Sequence, residues 1–364
     1  MTGKLVLENL KHKPMRSLLS VLLIGVPVTL ILCLVGLSNG LLEDSQRRAR
    51  GTGADIMVRP PGSSFLNLSG APIPEAFAGR LQSLPHVKLA VGVVSHPIQT
   101  PLLATGVNLK EFDEMSGGFT YLKGHAFDGP DQVIIDDPYA RQKGVTVGQK
   151  INLLNKDWTV VGITAGGKLA RIVFPIDVLQ DLNSTIGKLS QIYLKLDDPA
   201  NTEAVKAEVQ KLLPTYEVYS MEEFTAYFSV GKISGLREFI IVIVAVGVLI
   251  GFAVVCLSMY MAVLQRTREI GILKSLGASK GFILGVILAE SVLLGVGGTA
   301  VGVLLSFGAW WLIKTLVPAS IPMLIVPMWW LYAGGITLVG TVLGALYPGL
   351  SAARHDPIEA LSYE

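Results

Sequence analysis

The chain has 364 residues, of which 51% are hydrophobic and 16% charged, with a formal net charge of +2 and a mean hydropathy of +0.53. This composition is too apolar for an ordinary soluble domain and indicates an integral membrane protein. The small net charge gives no reason to expect a nucleic-acid partner. The two cysteines, Cys33 and Cys256, lie inside apolar runs, which argues against a disulfide framework or a metal cluster.

Four apolar stretches reach the roughly 20 residues that a helix needs to cross a bilayer. They predict transmembrane helices at residues 17–42, 239–264, 282–313 and 328–350. The first stretch follows a basic segment, residues 1–16, and resembles a signal peptide in that respect. However, its apolar core is longer than a signal core and no small-residue cleavage site follows it, so we predict a retained helix.

Residues 43–238 have a different pattern. Strand-like runs such as DQVIIDD (131–137) alternate with helix-like runs such as NTEAVKAEVQKLL (201–213). The predicted fold class is therefore an integral membrane α-helical bundle of four transmembrane helices, with a large α+β extracytoplasmic domain inserted between helices 1 and 2.

A search of this domain for catalytic patterns finds none. His86, His96 and His125 are scattered, without metal-ligand spacing or a nucleophile partner. Residues 162–169, GITAGGKL, match most of a phosphate-binding loop, but Leu169 stands where a magnesium-binding hydroxyl is needed and no helix is predicted to follow. We interpret the glycines as a hairpin turn, and expect no enzymatic activity and no nucleotide, metal or cofactor site in this chain.

Lysine and arginine near the span ends predict the orientation. Segments 1–16 and 265–281 carry four basic residues each, whereas the short loop 314–327 carries only Lys314. Basic residues just after the first span oppose this bias and make it moderate. We predict that both termini, 1–16 and the tail 351–364, are cytoplasmic. The outer interface is marked by two tryptophan pairs, Trp310, Trp311, Trp329 and Trp330.

Glycines spaced four residues apart recur in the spans. In lipid, such small-residue faces allow helices to approach closely. The predicted packing residues are Gly247, Gly251, Gly298, Gly302, Gly340 and Gly344, with further pairs at Gly36 and Gly40 and at Gly281 and Gly285. Some pairs can arise by chance among 39 glycines. Their presence in all four spans nevertheless favours a tightly packed bundle and is compatible with a dimer.

Glu290 lies about eight residues into the third span, where a charged group costs roughly 2.5–3.5 kcal/mol on insertion scales. Its side chain should therefore face protein or water rather than lipid. A hydrogen-bonded acid near the cytoplasmic edge is favoured over a transport role.

The stretch RTREIGILKSLGAS, residues 266–279, is a charged interruption between the second and third spans. As a helix it would carry Ile270 and Leu273 on one face and pair Arg266 with Glu269. Gly277 is placed to stop this helix, and Ser279 could cap the next one. Two interpretations are open: a helix lying at the lipid headgroups, or a docking helix for another protein.

Several stretches resemble the FtsX-like permeases, the family that includes the MacB-type exporters and the lipoprotein-releasing permeases. They are ENLKHKPMRSLLSVLLIGV (8–26), RTREIGILKSLGASKGFIL (266–284), LAESVLLGVGGTAVG (288–302) and YPGLSAARHDPIEALSYE (347–364). In the inserted domain, residues 122–153 and 173–182 are more loosely similar to the MacB-type periplasmic core.

This resemblance implies an ABC transporter permease of the bacterial cytoplasmic (inner) membrane. In the family two permease copies pair, and two ATPase subunits bind them from the cytoplasm through a coupling helix, here 265–281. The implied ATPase contacts are Arg268, Glu269, Ile270, Lys274, Leu276 and Gly277, with Glu269 as the preferred single contact. ATP and Mg would be bound by the partner ATPase, which must be a separate polypeptide because this chain has no nucleotide site.

The resemblance further implies mechanotransmission, in which cytoplasmic ATP hydrolysis changes the shape of the outer domain. One predicted function is export or extraction of a lipid, lipoprotein, peptide or amphipathic compound, with membrane lipids and a periplasmic adaptor or carrier protein as further partners. The alternative is a signal relay that controls an extracytoplasmic enzyme such as a cell-wall hydrolase. The large outer domain favours the exporter.

Overall fold

The computed structural model describes residues 14–62, 72–99, 102–227 and 236–354. Most of the predicted segment 1–16 and of the predicted tail 351–364 lies outside the described residues. Within the described ranges the chain forms eleven α-helices: α1 (Pro14–Arg50), α2 (Ala76–Gln82), α3 (Leu109–Ser116), α4 (Asp137–Lys143), α5 (Ile176–Leu182), α6 (Thr202–Leu212), α7 (Met221–Tyr227), α8 (Leu236–Gln265), α9 (Thr267–Ser275), α10 (Lys280–Leu316) and α11 (Met328–Arg354).

The same ranges contain twelve β-strands: β1 (Ile56–Arg59), β2 (Ile73–Pro74), β3 (Val87–Gln99), β4 (Leu102–Val107), β5 (Tyr121–Gly124), β6 (Gln132–Asp136), β7 (Lys150–Leu153), β8 (Lys156–Thr164), β9 (Ile172–Pro175), β10 (Lys188–Leu189), β11 (Gln191–Leu196) and β12 (Glu217–Ser220). All twelve lie between α1 and α8. The chain divides into two compact units. The helical unit consists of Met1–Asn39, Ser234–Leu312 and Met323–Glu364, and the inserted unit of Gly40–Ile233 and Ile313–Pro322.

Four helices, α1, α8, α10 and α11, are long and apolar enough to cross a membrane. All four extend past the predicted spans of 17–42, 239–264, 282–313 and 328–350 at one or both ends. Hydropathy detects the part of a helix that matches lipid, whereas backbone hydrogen bonding continues through polar helix formers. The predicted coupling helix, 265–281, differs in the opposite direction: helix α9 is shorter than this segment, and a turn follows it.

The end of α1 is the largest of these differences, because the helix continues to Arg50 instead of ending at 42. Its last turns carry opposite charges one turn apart, and Arg48 Nε lies 2.9 Å from Asp44 Oδ2. Such pairs support a helix after the apolar run has finished. The compact inserted unit therefore begins inside α1, at Gly40.

The inserted unit is built on a ten-stranded mixed sheet. Its strand order is β12-β1-β11-β3-β4-β9-β6-β8-β5, with β7 paired to β8, while β2 and β10 form a separate two-stranded sheet. The pairs β4–β9 and β6–β8 are parallel, and the remaining pairs are antiparallel. A mixed sheet with short helices matches the predicted α+β domain.

Apolar side chains alternate along the strands, so both faces of the sheet carry a core. In β1, Ile56 and Val58 join one cluster and Met57 joins the other. Helices cover both faces, contributing Leu81 from α2, Leu179 from α5 and Val205 from α6 on one, and Phe112 from α3 and Met221 from α7 on the other. Each such buried side chain contributes roughly 1.5–3 kcal/mol relative to exposure.

The residues 162–169 do not form the predicted hairpin turn. Strand β8 ends at Thr164, and the next strand, β9, is separated from it in the sheet by β6. The chain therefore crosses past β6 instead of turning back. Lys168 donates from Nζ to the backbone oxygens of Ser116, at 2.8 Å, and Gly118. The segment leads into a strand, so it lacks the helix N-terminus that a phosphate-binding loop requires.

Within the helical unit, α1 lies directly against α10. Ser20 on α1 also forms a hydroxyl–hydroxyl hydrogen bond of 2.7 Å with Ser258 on α8. Thr29 on α1 donates from Oγ1 to the carbonyl oxygen of Gly302 on α10, at 3.1 Å. Interhelical hydrogen bonds of this kind stabilise association in a medium where apolar burial gives little driving force.

Candidate functional site

The segment between α8 and α10 is a short helix with a defined end. Helix α9 stops because Gly277 adopts the left-handed conformation, with φ of +93°. The Gly277 N–H donates to the Lys274 oxygen at 3.0 Å, and the Ala278 N–H donates to the Leu273 oxygen at 3.0 Å. This pair of bonds is a Schellman motif. The prediction that Gly277 stops the helix is confirmed.

The next helix begins at a hydroxyl cap. The Phe282 N–H donates to Ser279 Oγ at 3.2 Å, as an N-cap side chain does. The predicted cap is therefore confirmed. The cap and the Schellman motif together fix both ends of the turn that joins α9 to α10.

Helix α9 presents an exposed ridge. Arg268, Ile272 and Leu276 follow one another at four-residue spacing and therefore lie on one face. Ile272 is 45% exposed and Leu276 80% exposed. Glu269 beside this ridge is also exposed. Exposed apolar residues framed by charges fit both interpretations of this segment, a helix at the lipid headgroups and a docking helix for another protein.

The predicted contact residues do not all belong to this ridge. Arg268, Glu269, Leu276 and Gly277 are exposed and Lys274 is half-buried. Ile270 is half-buried and packs against the apolar cluster of the surrounding long helices. The predicted contact set includes Ile270, which packs against the long helices, and does not include Ile272, which is exposed. The four-residue spacing of Arg268, Ile272 and Leu276 is the signal that could have identified it.

Glu290 is buried and ion-paired. Arg266 Nη1 lies 3.2 Å from Glu290 Oε2, and the two side chains are 16% and 6% exposed. The predicted pair between Arg266 and Glu269 does not form. Arg266 is the N-cap residue of α9, and its guanidinium reaches across to α10 instead of to Glu269 on its own helix. A buried carboxylate also needs a nearby cation more than an exposed one does.

A cavity of about 120 Å³ lies beneath α9. Its wall includes Arg266, Glu269 and Glu290, with Leu273 and Phe282 among the apolar residues. The guanidinium of Arg266 thus holds the start of α9 against α10, while the carboxylate of Glu269 reaches the surface. This arrangement can hold a short exposed helix in a fixed position on two long helices.

The predicted packing glycines differ in how closely they are approached. A Cβ at Gly302 would lie 2.6 Å from Val28, one at Gly344 would lie 2.7 Å from the Phe252 oxygen, and one at Gly298 would overlap Ile24. Those at Gly247 and Gly340 would make ordinary contacts, and Gly251 has no described atom within 4 Å. Sequence reasoning misses Gly25 and Gly295, which also meet neighbouring helices closely but do not belong to the quoted four-residue pairs.

Two family models match this chain. The model of the FtsX-like permease C-terminal region matches residues 241–357. The model of the MacB-like periplasmic core domain matches residues 17–212, which is more than half of the chain. Four membrane-type helices carrying an inserted α+β domain, together with these matches, define an ABC transporter permease. The chain belongs to the FtsX-like, MacB-type family of these permeases, and the predicted resemblance and fold class are confirmed.

The relatives include proteins of two lengths. The chain is 26% identical over 392 residues to the uncharacterized ABC transporter permease YknZ of Bacillus subtilis (strain 168), covering 98% of this chain and 96% of that protein. It is 28% identical over 269 residues to the macrolide export ATP-binding/permease protein MacB of Chromobacterium violaceum, covering 68% of this chain and 41% of that protein. The chain therefore spans nearly all of the permease but less than half of the ATP-binding/permease protein.

A solved structure is also similar to part of the chain. The extracellular domain of the noncanonic ABC-type transporter YknZ from Gram-positive bacteria aligns over 46% of this chain and 100% of that domain, at 16% identity and a TM-score of 0.36.

Proposed function

We propose that this chain couples ATP hydrolysis by a separate ATPase subunit to a shape change of its extracytoplasmic domain, and so exports or extracts a lipid, lipoprotein, peptide or amphipathic compound. The observation that carries the proposal is α9: an exposed ridge of Arg268, Ile272 and Leu276, held on α10 through the buried pair of Arg266 and Glu290.

The anchoring of α9 matters for this function. A partner that binds the ridge can move the long helices only if α9 does not slide on them. The Arg266–Glu290 pair, the partly buried Ile270 and the closed turn at Gly277 each restrain α9. A force applied to the ridge would therefore pass into α8 and α10 rather than deform the loop.

The proposed complex contains two permease copies and two ATPase subunits, which bind the ATP and Mg. Helix α8 supports the pairing, because it has the highest hydropathy of the four membrane-type helices and only 11% of its most apolar window is buried within this chain. That surface is available to lipid and to a second copy. The proposal places both termini and α9 in the cytoplasm, at the bacterial inner membrane, with a periplasmic adaptor or carrier protein as a further partner.

The test is co-purification from native membranes in mild detergent. Glu269→Lys reverses one exposed charge beside the ridge, and Glu238→Lys makes the same charge change at an exposed position near the start of α8. We expect the wild type and Glu238→Lys to retain an ABC ATPase. Glu269→Lys should reduce its recovery about tenfold, equivalent to about 1.4 kcal/mol of binding.

Equal recovery of the ATPase with both variants would refute the assignment of Glu269. Absence of any ATPase from the wild type under several detergents would refute the proposed function. Stimulation of the recovered ATPase by a co-purifying lipid or peptide supports export, whereas stimulation of a cell-wall hydrolase without bound cargo supports a relay.

A further inference from the structure

Four charged side chains form a closed ring inside the inserted unit. Asp44 and Arg48 come from the last turns of α1, Asp136 ends β6, and Arg171 directly precedes β9. Arg48 lies 2.9 Å from Asp44 and 2.8 Å from Asp136, and Arg171 lies 3.0 Å from Asp44 and 2.9 Å from Asp136. Each carboxylate thus bridges both guanidinium groups, and the ring is neutral.

The ring is mostly buried. The side chain of Asp136 is 4% exposed and that of Arg171 10%, whereas Arg48 is 14% exposed and Asp44 25%. Burial lowers the pKa of Arg171, as does the neighbouring Arg48, while the two carboxylates oppose this shift. Arginine remains protonated in proteins, so both guanidinium groups stay charged. Removal of one member would leave a net charge in this mostly buried ring, so the four groups hold α1 to the sheet as a unit.

Asp136 also begins helix α4. Its Oδ1 accepts the Tyr139 N–H at 2.9 Å, while its Oδ2 accepts from Arg48 and Arg171. One carboxylate therefore caps α4 and binds the end of α1. A displacement of Arg48 acts directly on the first turn of α4.

The other end of α4 binds a second segment. Gln142 Oε1 accepts the backbone N–H groups of Ala319 and Ser320, at 2.9 and 3.1 Å, and its Nε2 donates to Ser320 Oγ at 2.8 Å. Ala319 is 4% exposed and belongs to the same apolar cluster as Tyr139. The connection between α10 and α11 is therefore docked on α4 by three hydrogen bonds and a buried methyl group.

We propose that α4 is the element through which the extracytoplasmic domain receives movement, with Asp136 as the positioning residue for α1 and Gln142 as the positioning residue for the α10–α11 connection. This inference rests on the proposed function, which supplies the movement. Helix α4 has seven residues, so its two ends are about two turns apart. A movement of α1 and a movement of the α10–α11 connection would therefore act on the same short helix. It also directly follows β6, an interior strand of the sheet.

The same helix provides a matched control. Arg141, which is exposed, and Asp137, which is half-buried, form an i,i+4 pair of 2.7 Å on α4, and neither takes part in the ring or in the bonds to residues 319 and 320. Arg141→Ala therefore perturbs α4 without touching either connection. Gln142→Ala removes all three hydrogen bonds of the second connection. Gln142→Glu keeps the two acceptor bonds to the backbone and can accept the Ser320 hydroxyl, so it should restore the behaviour of the wild type.

The experiment uses the full chain with its co-purified ATPase in lipid nanodiscs. Hydrogen exchange of β6 and β8 is measured with and without ATP, beside ATPase recovery and basal hydrolysis. In Gln142→Ala we expect the ATP-dependent difference in exchange to fall about fivefold or more, with recovery and hydrolysis within about twofold of the wild type. Arg141→Ala and Gln142→Glu should keep the full difference.

If Gln142→Ala binds the ATPase and keeps the full ATP-dependent difference in hydrogen exchange, the role of α4 is overturned. The proposed function still stands in that case. Lack of ATPase association in the wild type would overturn both. If Gln142→Ala does not fold, Arg48→Lys tests the other end of α4. Lysine has no planar fork to bridge two carboxylates, so a reduced difference supports the inference and an unchanged one overturns it.

Discussion

Replacement of Gly302 by alanine should destabilise the packing of α10 on α1. The added Cβ would lie 2.6 Å from the Val28 side chain and 2.8 Å from the Gly25 carbonyl oxygen. Neither neighbour can easily yield, because valine is branched at Cβ and the oxygen belongs to the backbone of α1. The two helices must therefore move apart, which also stretches the hydrogen bond from Thr29 to the Gly302 oxygen.

Two effects of opposite sign set the change in the free energy of unfolding for Gly302→Ala. Overpacking of a close contact costs typically about 1–3 kcal/mol, whereas alanine gains about 1 kcal/mol over glycine in a helix interior. Gly308 lies on the same helix and is exposed, and a Cβ added there would have no described atom within 4 Å. Gly308→Ala should therefore gain the helix propensity of alanine without the overpacking cost. The difference between the two variants therefore isolates the overpacking cost, about 1–3 kcal/mol.

Thermal unfolding in one detergent, followed for both variants and the wild type, measures this difference. Gly302→Ala should unfold at a lower temperature than Gly308→Ala, and the variants should insert into membranes equally well. Equal unfolding temperatures, or a more stable Gly302→Ala, would show that α1 and α10 do not meet at Gly302 as closely as described.

Two further predictions concern single pairs. Arg266→Leu or Glu290→Leu alone should each cost about 3 kcal/mol in the free energy of unfolding, and the double variant less than the sum of the two, because each single change already removes this buried ion pair. A double-mutant cycle measured by detergent-phase unfolding checks this, and additive costs would contradict it. Glu223→Gln should cost about 0.5 kcal/mol, because glutamine can keep the capping box that Glu223 and Ser220 form at the start of α7, with both bonds at 3.0 Å, but loses the charge that pairs with Lys206. Hydrogen bonds from Lys206 and Ser220 lower the pKa of Glu223, so its contribution is complete above the unfolded value of about 4.3 and is lost as pH falls through the lower folded pKa. Stability measured against pH should lose this step in Glu223→Gln, and an unchanged profile would contradict the assignment.

The local parts of this structure are predictable from sequence because they depend on neighbouring residues. The apolar spans follow from composition over about 20 residues. The turn after α9 follows from the conformational freedom of Gly277 and the hydroxyl of Ser279. In each case the residue type and its position along the chain already contain the physical cause.

The tertiary pairs are not predictable in this way. Helical spacing assigns Arg266 to Glu269, three residues away, but Arg266 pairs with Glu290, which is 24 residues away. In the ring, Arg48 and Asp136 are 88 residues apart, and Asp44 and Arg171 are 127 residues apart. Helical spacing rules describe only neighbours on one helix. The partner of a buried charge is decided by which elements the fold brings together.

Both ion networks lie where a long apolar helix has just given way to polar sequence. Arg266 follows the end of α8 and holds α9, while Asp44 and Arg48 continue α1 and hold β6 and Arg171. Apolar packing in lipid gains little free energy from burial, whereas a buried ion pair loses its partner when it is displaced. Under the proposed function, charged pairs at these transitions would resist displacement of the elements that they join. The residues to examine first in this chain are the buried charges beside the ends of its apolar runs.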